Sequence, residues 1–198
     1  QMARLSIQLI GPMRVTLRDQ TPACFETEKT RALLAYLAAE GDRPHRRDLV
    51  AEMLWPDRPA GAAHANLRHA LSSLRRSIGD APGSEDAASI LIATRQTLQF
   101  NAASDVWLDV SAFLTRLETP RVTGQRDVQS LEEAVRLYRG DFLEDLSVTD
   151  CAELEEWLLL TRERLRRMTL DGLNQLAACY EQLGQWDRAL PHARRHAE

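Results

Sequence analysis

The sequence predicts a mainly helical fold with small β elements: a strand-and-helix part reaching to about residue 104, then an all-helical part. Three observations carry this. Apolar residues alternate with polar ones at the start of the chain and again near residue 95, which is the period of a half-buried strand. Between those stretches, and throughout the chain after residue 105, they recur every three to four residues, the period of an amphipathic helix. Gly-, Pro- and Ser-bearing stretches at 11–12, 56–59, 79–89 and 120–127 punctuate the pattern.

In order, Leu5, Ile7 and Leu9 alternate with Ser6 and Gln8, Gly11-Pro12 turns the chain, and Met13, Val15 and Leu17 alternate again. That is a small antiparallel hairpin. Thr27 caps a helix to Ala39 with Leu33, Leu34 and Leu37 on one face and Gly41 past its end. A second helix fits 46–55, with Leu49, Val50, Met53 and Leu54 inward, and Pro56 and Pro59 bracket a stiff loop. A third fits 64–78 and stops at Gly79. Residues 89–100 read as a hairpin with Ile90, Ile92, Leu98 and Phe100 apolar around a tip at Arg95-Gln96. Strands, three helices and a closing hairpin in this order make a winged helix-turn-helix with an extra N-terminal sheet, spanning residues 1–104.

In the second part, 105–198, Asp109 caps a helix to Glu118. Ser130, with Glu133 three residues on, forms a capping box for a helix to Arg139. A long helix covers 153–183, Gly184 breaks it, and a last helix covers 186–198. Trp107, Trp157 and Trp186 fall on apolar positions and read as core.

Charge narrows the function. The chain carries 25 Lys+Arg against 29 Asp+Glu, a net −4, which alone argues against a polyanion partner. The distribution argues otherwise. Residues 43–79 hold seven arginines and three acids, a local +4 on an acidic body. The third helix concentrates it. Leu67, Ala70, Leu71, Leu74 and Ile78 share one arc of the helical wheel, and at 100° per residue Arg76 lies about 180° from Leu67, flanked by Ser72 and His69. No acid stands between Ala60 and Gly79, whereas an ordinary exposed helix mixes both signs for i,i+4 pairing. A basic, hydrogen-bonding face of this kind suits phosphates and base edges: Arg pairs bidentately with guanine, and Ser or His donates to either. Arg46 and Arg47 open the second helix, where free backbone N–H groups already favour an anion. Arg95 at the hairpin tip suits a minor groove.

The stretch from Arg31 to Gly79, with its LWPD and ANLRHALSSLRR runs, resembles the OmpR-type winged helix of the Streptomyces antibiotic regulatory protein family. The stretch VWLDVSAFLTRLE, LYRGDFL and EEWLLLTRERLR resembles the bacterial transcriptional activation domain that follows it there. The resemblance implies an activator that binds direct repeats in promoters, with a homodimer on DNA, and contacts RNA polymerase through the segment 56–63. It also implies that the third helix reads DNA. The expected DNA-contact set is therefore Arg46, Arg47, Asn66, Arg68, His69, Ser72, Ser73, Arg75, Arg76 and Arg95. LAACYEQLGQWDRAL resembles the middle of a tetratricopeptide repeat, with Pro191 a departure and the closing part of the repeat absent. The expectation is that this helical part is cut short and that the protein continues.

Enzymatic chemistry finds no footing. There is no P-loop, GxGxxG, GxSxG or HExxH. His192 and His196 have the i,i+4 spacing of a zinc pair but no further ligand nearby, so neither metal nor cofactor is expected. Cys24, Cys151 and Cys179 are far apart with no CxxC and read as small core residues in a reducing cytosol. No apolar run approaches the roughly 20 residues that cross a bilayer, so a cytoplasmic protein is expected. Two other readings are open: a protein-interaction scaffold, which differs from a DNA-binding regulator in the third helix, and the sensory front end of a larger signalling protein, which keeps the DNA-binding function and concerns only further residues. A scaffold would put acids or leucines on its outer face, and neither is there.

Overall fold

The structure is a computed structural model, which describes residues 3–80, 88–118, 128–185 and 187. Among these it is mainly helical, with small sheets. The elements are β1 (Leu5–Gln8), β2 (Arg14–Leu17), α1 (Glu28–Ala39), β3 (His45–Arg46), α2 (Arg47–Leu54), α3 (Ala60–Ser77), β4 (Leu91–Ala93), β5 (Thr97–Phe100), β6 (Val106–Leu108), α4 (Asp109–Glu118), α5 (Val128–Leu137) and α6 (Ala152–Gln182). β1 pairs antiparallel with β2 and parallel with β6. In a second sheet β5 lies between β3 and β4, antiparallel to both.

The local chemistry explains most of these elements. Thr27 Oγ1 accepts the Thr30 N–H at 3.1 Å and caps α1, and Glu28 in the first turn suits the positive end of its dipole. Leu33, Leu34 and Leu37 on α1 are fully buried. They face α3, whose Leu67, Ala70, Leu71 and Leu74 are buried in turn. Gly11 at φ 92° turns the chain between β1 and β2, a conformation that costs glycine nothing.

The two parts of the chain share one hydrophobic core, in which Leu5, Ile7 and Leu9 lie with Phe113, Phe142 and Leu158. Polar groups tie them as well. The buried Asp109 carboxylate accepts the N–H groups of Leu9 (2.8 Å) and Ile10 (3.0 Å) and meets Arg139 Nη2 at 3.1 Å. Leu143 N donates to Leu9 O, and Arg162 donates to the Phe142 and Leu143 carbonyls, each at 2.8 Å. Trp157 on α6 packs edge-on against Tyr36 and Phe142 and donates to Glu40 at 3.1 Å.

Several expectations are corrected. α3 starts at Ala60, four residues before His64, because Pro59 and the small residues after it enter the helix directly. Leu49, expected inward, is 57% exposed, and on β4 it is Leu91 rather than Ile92 that enters the core. Cys24 is exposed and only Cys151 is buried. Ser130 sits inside α5 instead of capping it, since the helix begins at Val128 and ends at Leu137; Glu133 pairs with Arg116 at 2.8 Å. Trp107 is half-buried. The expected helix 186–198, with Trp186, Pro191, His192 and His196, lies outside the described residues apart from position 187.

Candidate nucleic-acid interface

α3 and the β4–β5 hairpin form the two walls of a groove, and α2 closes its base. The hairpin is held there by arginines. Arg47 N donates to Gln96 O at 2.9 Å, and Arg47 Nη1 to Thr94 O at 3.1 Å. Arg75 Nη2 donates to Leu91 O at 3.0 Å, with its Nε 3.8 Å from the buried Asp80 carboxylate. Asp80 in turn accepts the Ile90 and Leu91 N–H groups at 2.7 and 3.1 Å. A cleft of about 480 Å³ beside α3 is lined by Arg47 of α2, by Arg68, Leu71, Ser72, Arg75 and Arg76 of α3, and by Gly79 and Asp80 just after it. A wider one of about 920 Å³ adjoins it and shares Arg47 and Arg68, adding His64, Thr94 and Arg95.

The groove is cationic and only partly neutralised. Arg47's guanidinium is pushed below its ordinary pKa by burial and then by the neighbouring charges of Arg68 and Arg75. Cations crowded in this way gain from any anion that enters. Arg68, His69, Ser72 and Arg76 are exposed along the outer face of α3, Asn66 is half-buried, and Arg95 is exposed at the hairpin tip.

Four of the expected residues differ from a free contact set. Ser73 is 2% exposed and cannot reach a duplex. The segment before α1 covers that flank, with Ser77 Oγ donating to Cys24 O at 2.5 Å and Arg76 reaching Glu26 at 3.1 Å. The acid-free helix therefore receives an acid from elsewhere in the chain. Arg75 is turned toward the hairpin, as its bond to Leu91 shows. Arg46 pairs with Asp48 at 2.6 Å, and this hydrogen bond holds the Asp48 carboxyl below its ordinary range.

His64, Gly61 and Thr94 line the groove without having been expected there. His64 precedes Arg68 by one turn, a spacing visible in the sequence once α3 is started at Ala60. The first turn of α3 carries neither an acid nor a side-chain cap; Pro59 O takes the Ala62 and Ala63 N–H groups, which leaves those of Ala60 and Gly61 for an anion. Among the described residues no group of three or more His, Cys, Asp or Glu could hold a metal ion. No helix there is long and apolar enough to cross a membrane.

After the hairpin come β6 and the three helices α4, α5 and α6. Residues 108–198 match the bacterial transcriptional activator domain. EmbR, a transcriptional regulatory protein, is 30% identical over 148 residues in its Mycobacterium bovis form and in two strains of Mycobacterium tuberculosis. The match takes in 72% of this chain and 37% of those relatives, so the chain spans little more than a third of their length. The solved structure of Mycobacterium tuberculosis EmbR in complex with a low affinity phosphopeptide aligns with a TM-score of 0.62 at 22% identity. It covers 98% of this chain and 59% of that one, which is a likeness of fold. The activator-domain family and these relatives are transcription regulators, not enzymes.

Proposed function

We propose that this protein is a sequence-specific DNA-binding transcription regulator, an activator in which α1–α3 and the β4–β5 hairpin act as a winged helix-turn-helix. α3 enters the major groove, and Arg68, His69, Ser72 and Arg76 face base edges and phosphates. Arg47 and the open first turn of α3 hold the backbone, and Arg95 reaches the neighbouring minor groove. The observation that carries this reading is the crowding of Arg47, Arg68 and Arg75 where α2 meets α3, beside a groove between α3 and the hairpin that shares Arg47 and Arg68. The likeness to activator-domain proteins supports it. In this reading the protein binds direct repeats in promoters as two copies, and the segment 56–63 faces RNA polymerase.

Selection from random duplex DNA, followed by affinity measurements across a salt series, tests this. Each neutralised phosphate contributes about −0.9 to the slope of log K against log salt. With about four to six phosphate contacts, affinity falls by roughly 10²–10³ between 50 and 200 mM salt. Absence of duplex binding at low salt, or tight binding indifferent to salt, overturns the reading.

A further inference from the structure

α6 buries Leu154, Leu158, Leu165, Thr169, Leu173 and Leu176 along one side. On its outer side runs a second stripe of five exposed residues: Glu153, Glu156, Leu160, Arg164 and Arg167. The steps between them are three, four, four and three residues, the spacing that keeps side chains on one helical seam. The stripe is symmetric in spacing and inverts in charge about Leu160. Two acids precede the leucine, two arginines follow it, and the distances from Leu160 are the same on both sides. Leu160 is 62% exposed, and its neighbour Leu159 is 66% exposed beside it. Among the described residues none of the four charged groups forms an ion pair within the chain, although Glu163 lies one turn from Arg167 on the same helix.

We propose that this stripe is a self-association surface and that its occupant is the same stripe of a second copy, packed antiparallel. A two-fold axis through Leu160 sets Leu160 on Leu160 once, and Glu156 on Arg164 and Glu153 on Arg167 twice each. That self-complementarity is what an isologous two-fold interface requires. A parallel pairing would stack acid on acid and arginine on arginine and is excluded by repulsion. Exposed ion pairs are individually weak, and one helix pair covers less area than a standard interface. The dimer is therefore concentration-dependent and weakened by salt. This inference does not rest on the DNA-binding reading.

Sedimentation of the protein over a concentration series, at low and high salt, measures the association directly. Two double variants then test its geometry: Glu153→Arg/Glu156→Arg, which makes the stripe wholly basic, and Arg164→Glu/Arg167→Glu, which makes it wholly acidic. Each alone associates at least about tenfold more weakly than the unaltered protein, corresponding to loss of complementary charge and gain of repulsion. An equimolar mixture of the two restores association as a heterodimer, because every facing pair is again of opposite sign. Rescue by mixing cannot come from a variant that has failed to fold. In a Cys24→Ser background, Leu160→Cys oxidises to a linked dimer faster than Glu163→Cys, which lies away from the axis. A protein monomeric at every concentration, double variants that associate as the unaltered protein does, or a mixture that stays monomeric each overturns the proposal.

Discussion

Arg75 and Arg76 are neighbours in sequence, and α3 turns them into different surroundings. Arg75 donates to Leu91 O and approaches Asp80, so it holds the hairpin to the helix. Arg76 points outward and pairs with Glu26. Arg76→Ala should leave urea unfolding unchanged within about 0.5 kcal/mol and cost about 1–3 kcal/mol on the selected DNA site, with preference relaxed at one position. Arg75→Ala should instead lower stability itself by about 1–3 kcal/mol, because a hairpin carbonyl loses its donor and the buried Asp80 carboxylate its nearby cation. Equal stabilities for the two variants would contradict that division.

Asp109 and Asp145 make an opposed pair. Burial pushes the Asp109 carboxyl upward despite the Leu9 and Ile10 N–H groups and Arg139. At Asp145 burial acts the same way, but the Met13 N–H and the Arg31 guanidinium outweigh it and hold the carboxyl below its usual range. The folded chain therefore takes up a proton at Asp109 before the unfolded chain does, and this group's contribution to stability declines as pH rises from the ordinary carboxylate value through the raised one. Asp145 contributes stability above its ordinary value and loses it as pH falls through the lowered one. Unfolding midpoints measured against pH for Asp109→Asn and Asp145→Asn should depart from the parent curve with opposite slopes. Asp109→Ala, which strands two buried N–H groups and Arg139, should cost about 2–4 kcal/mol near neutral pH.

At the scale of an element, α3 is a helix whose N-terminus is left bare. Pro59 supplies no side-chain cap and the first turn holds no acid, although a carboxylate there would stabilise the helix. An open N-terminus beside Arg47 and Arg68 suits a phosphate better than it suits the isolated fold. Ala62→Glu should therefore move two readouts in opposite directions: stability rises by about 0.3–1 kcal/mol, while DNA affinity falls for all sequences alike. A rise in both would show that this end of α3 lies away from the duplex. The hairpin is the complementary element. Its strands are only three and four residues long, and it keeps its place through arginine bonds to its carbonyls.

At the scale of the whole molecule, the chain is laced across its middle. β6 at Val106–Leu108 completes the sheet begun by β1 at Leu5–Gln8, and Asp109 fastens the end of β1. A fragment ending at Ser104 loses both, together with Phe113, Phe142 and Leu158 from the shared core. It should unfold at a markedly lower temperature than the 198-residue chain, or fail to fold. The chain itself should unfold in one transition followed equally by far-ultraviolet circular dichroism and by tryptophan fluorescence. A fragment as stable as the chain would show that the two parts are independent.

Sequence periodicity was enough for α1, α2, α4 and α6 within a residue or two, because their apolar stripes and the Thr27 and Gly184 signals are local. It was also enough for the cationic outer face of α3, since the wheel positions of Arg68, Ser72 and Arg76 depend on helix geometry alone. Tertiary structure decided everything that depends on what a neighbouring segment does. Ser73 became buried, and its neighbours Ser77 and Arg76 are bonded to Cys24 and Glu26 of the segment before α1. Arg75 became a brace because the hairpin carbonyl Leu91 O came within reach. Asp109 became a buried clamp because β1 delivered two N–H groups to it from about a hundred residues away. A helical pattern states which residues share a face, and only the packed chain states what that face meets.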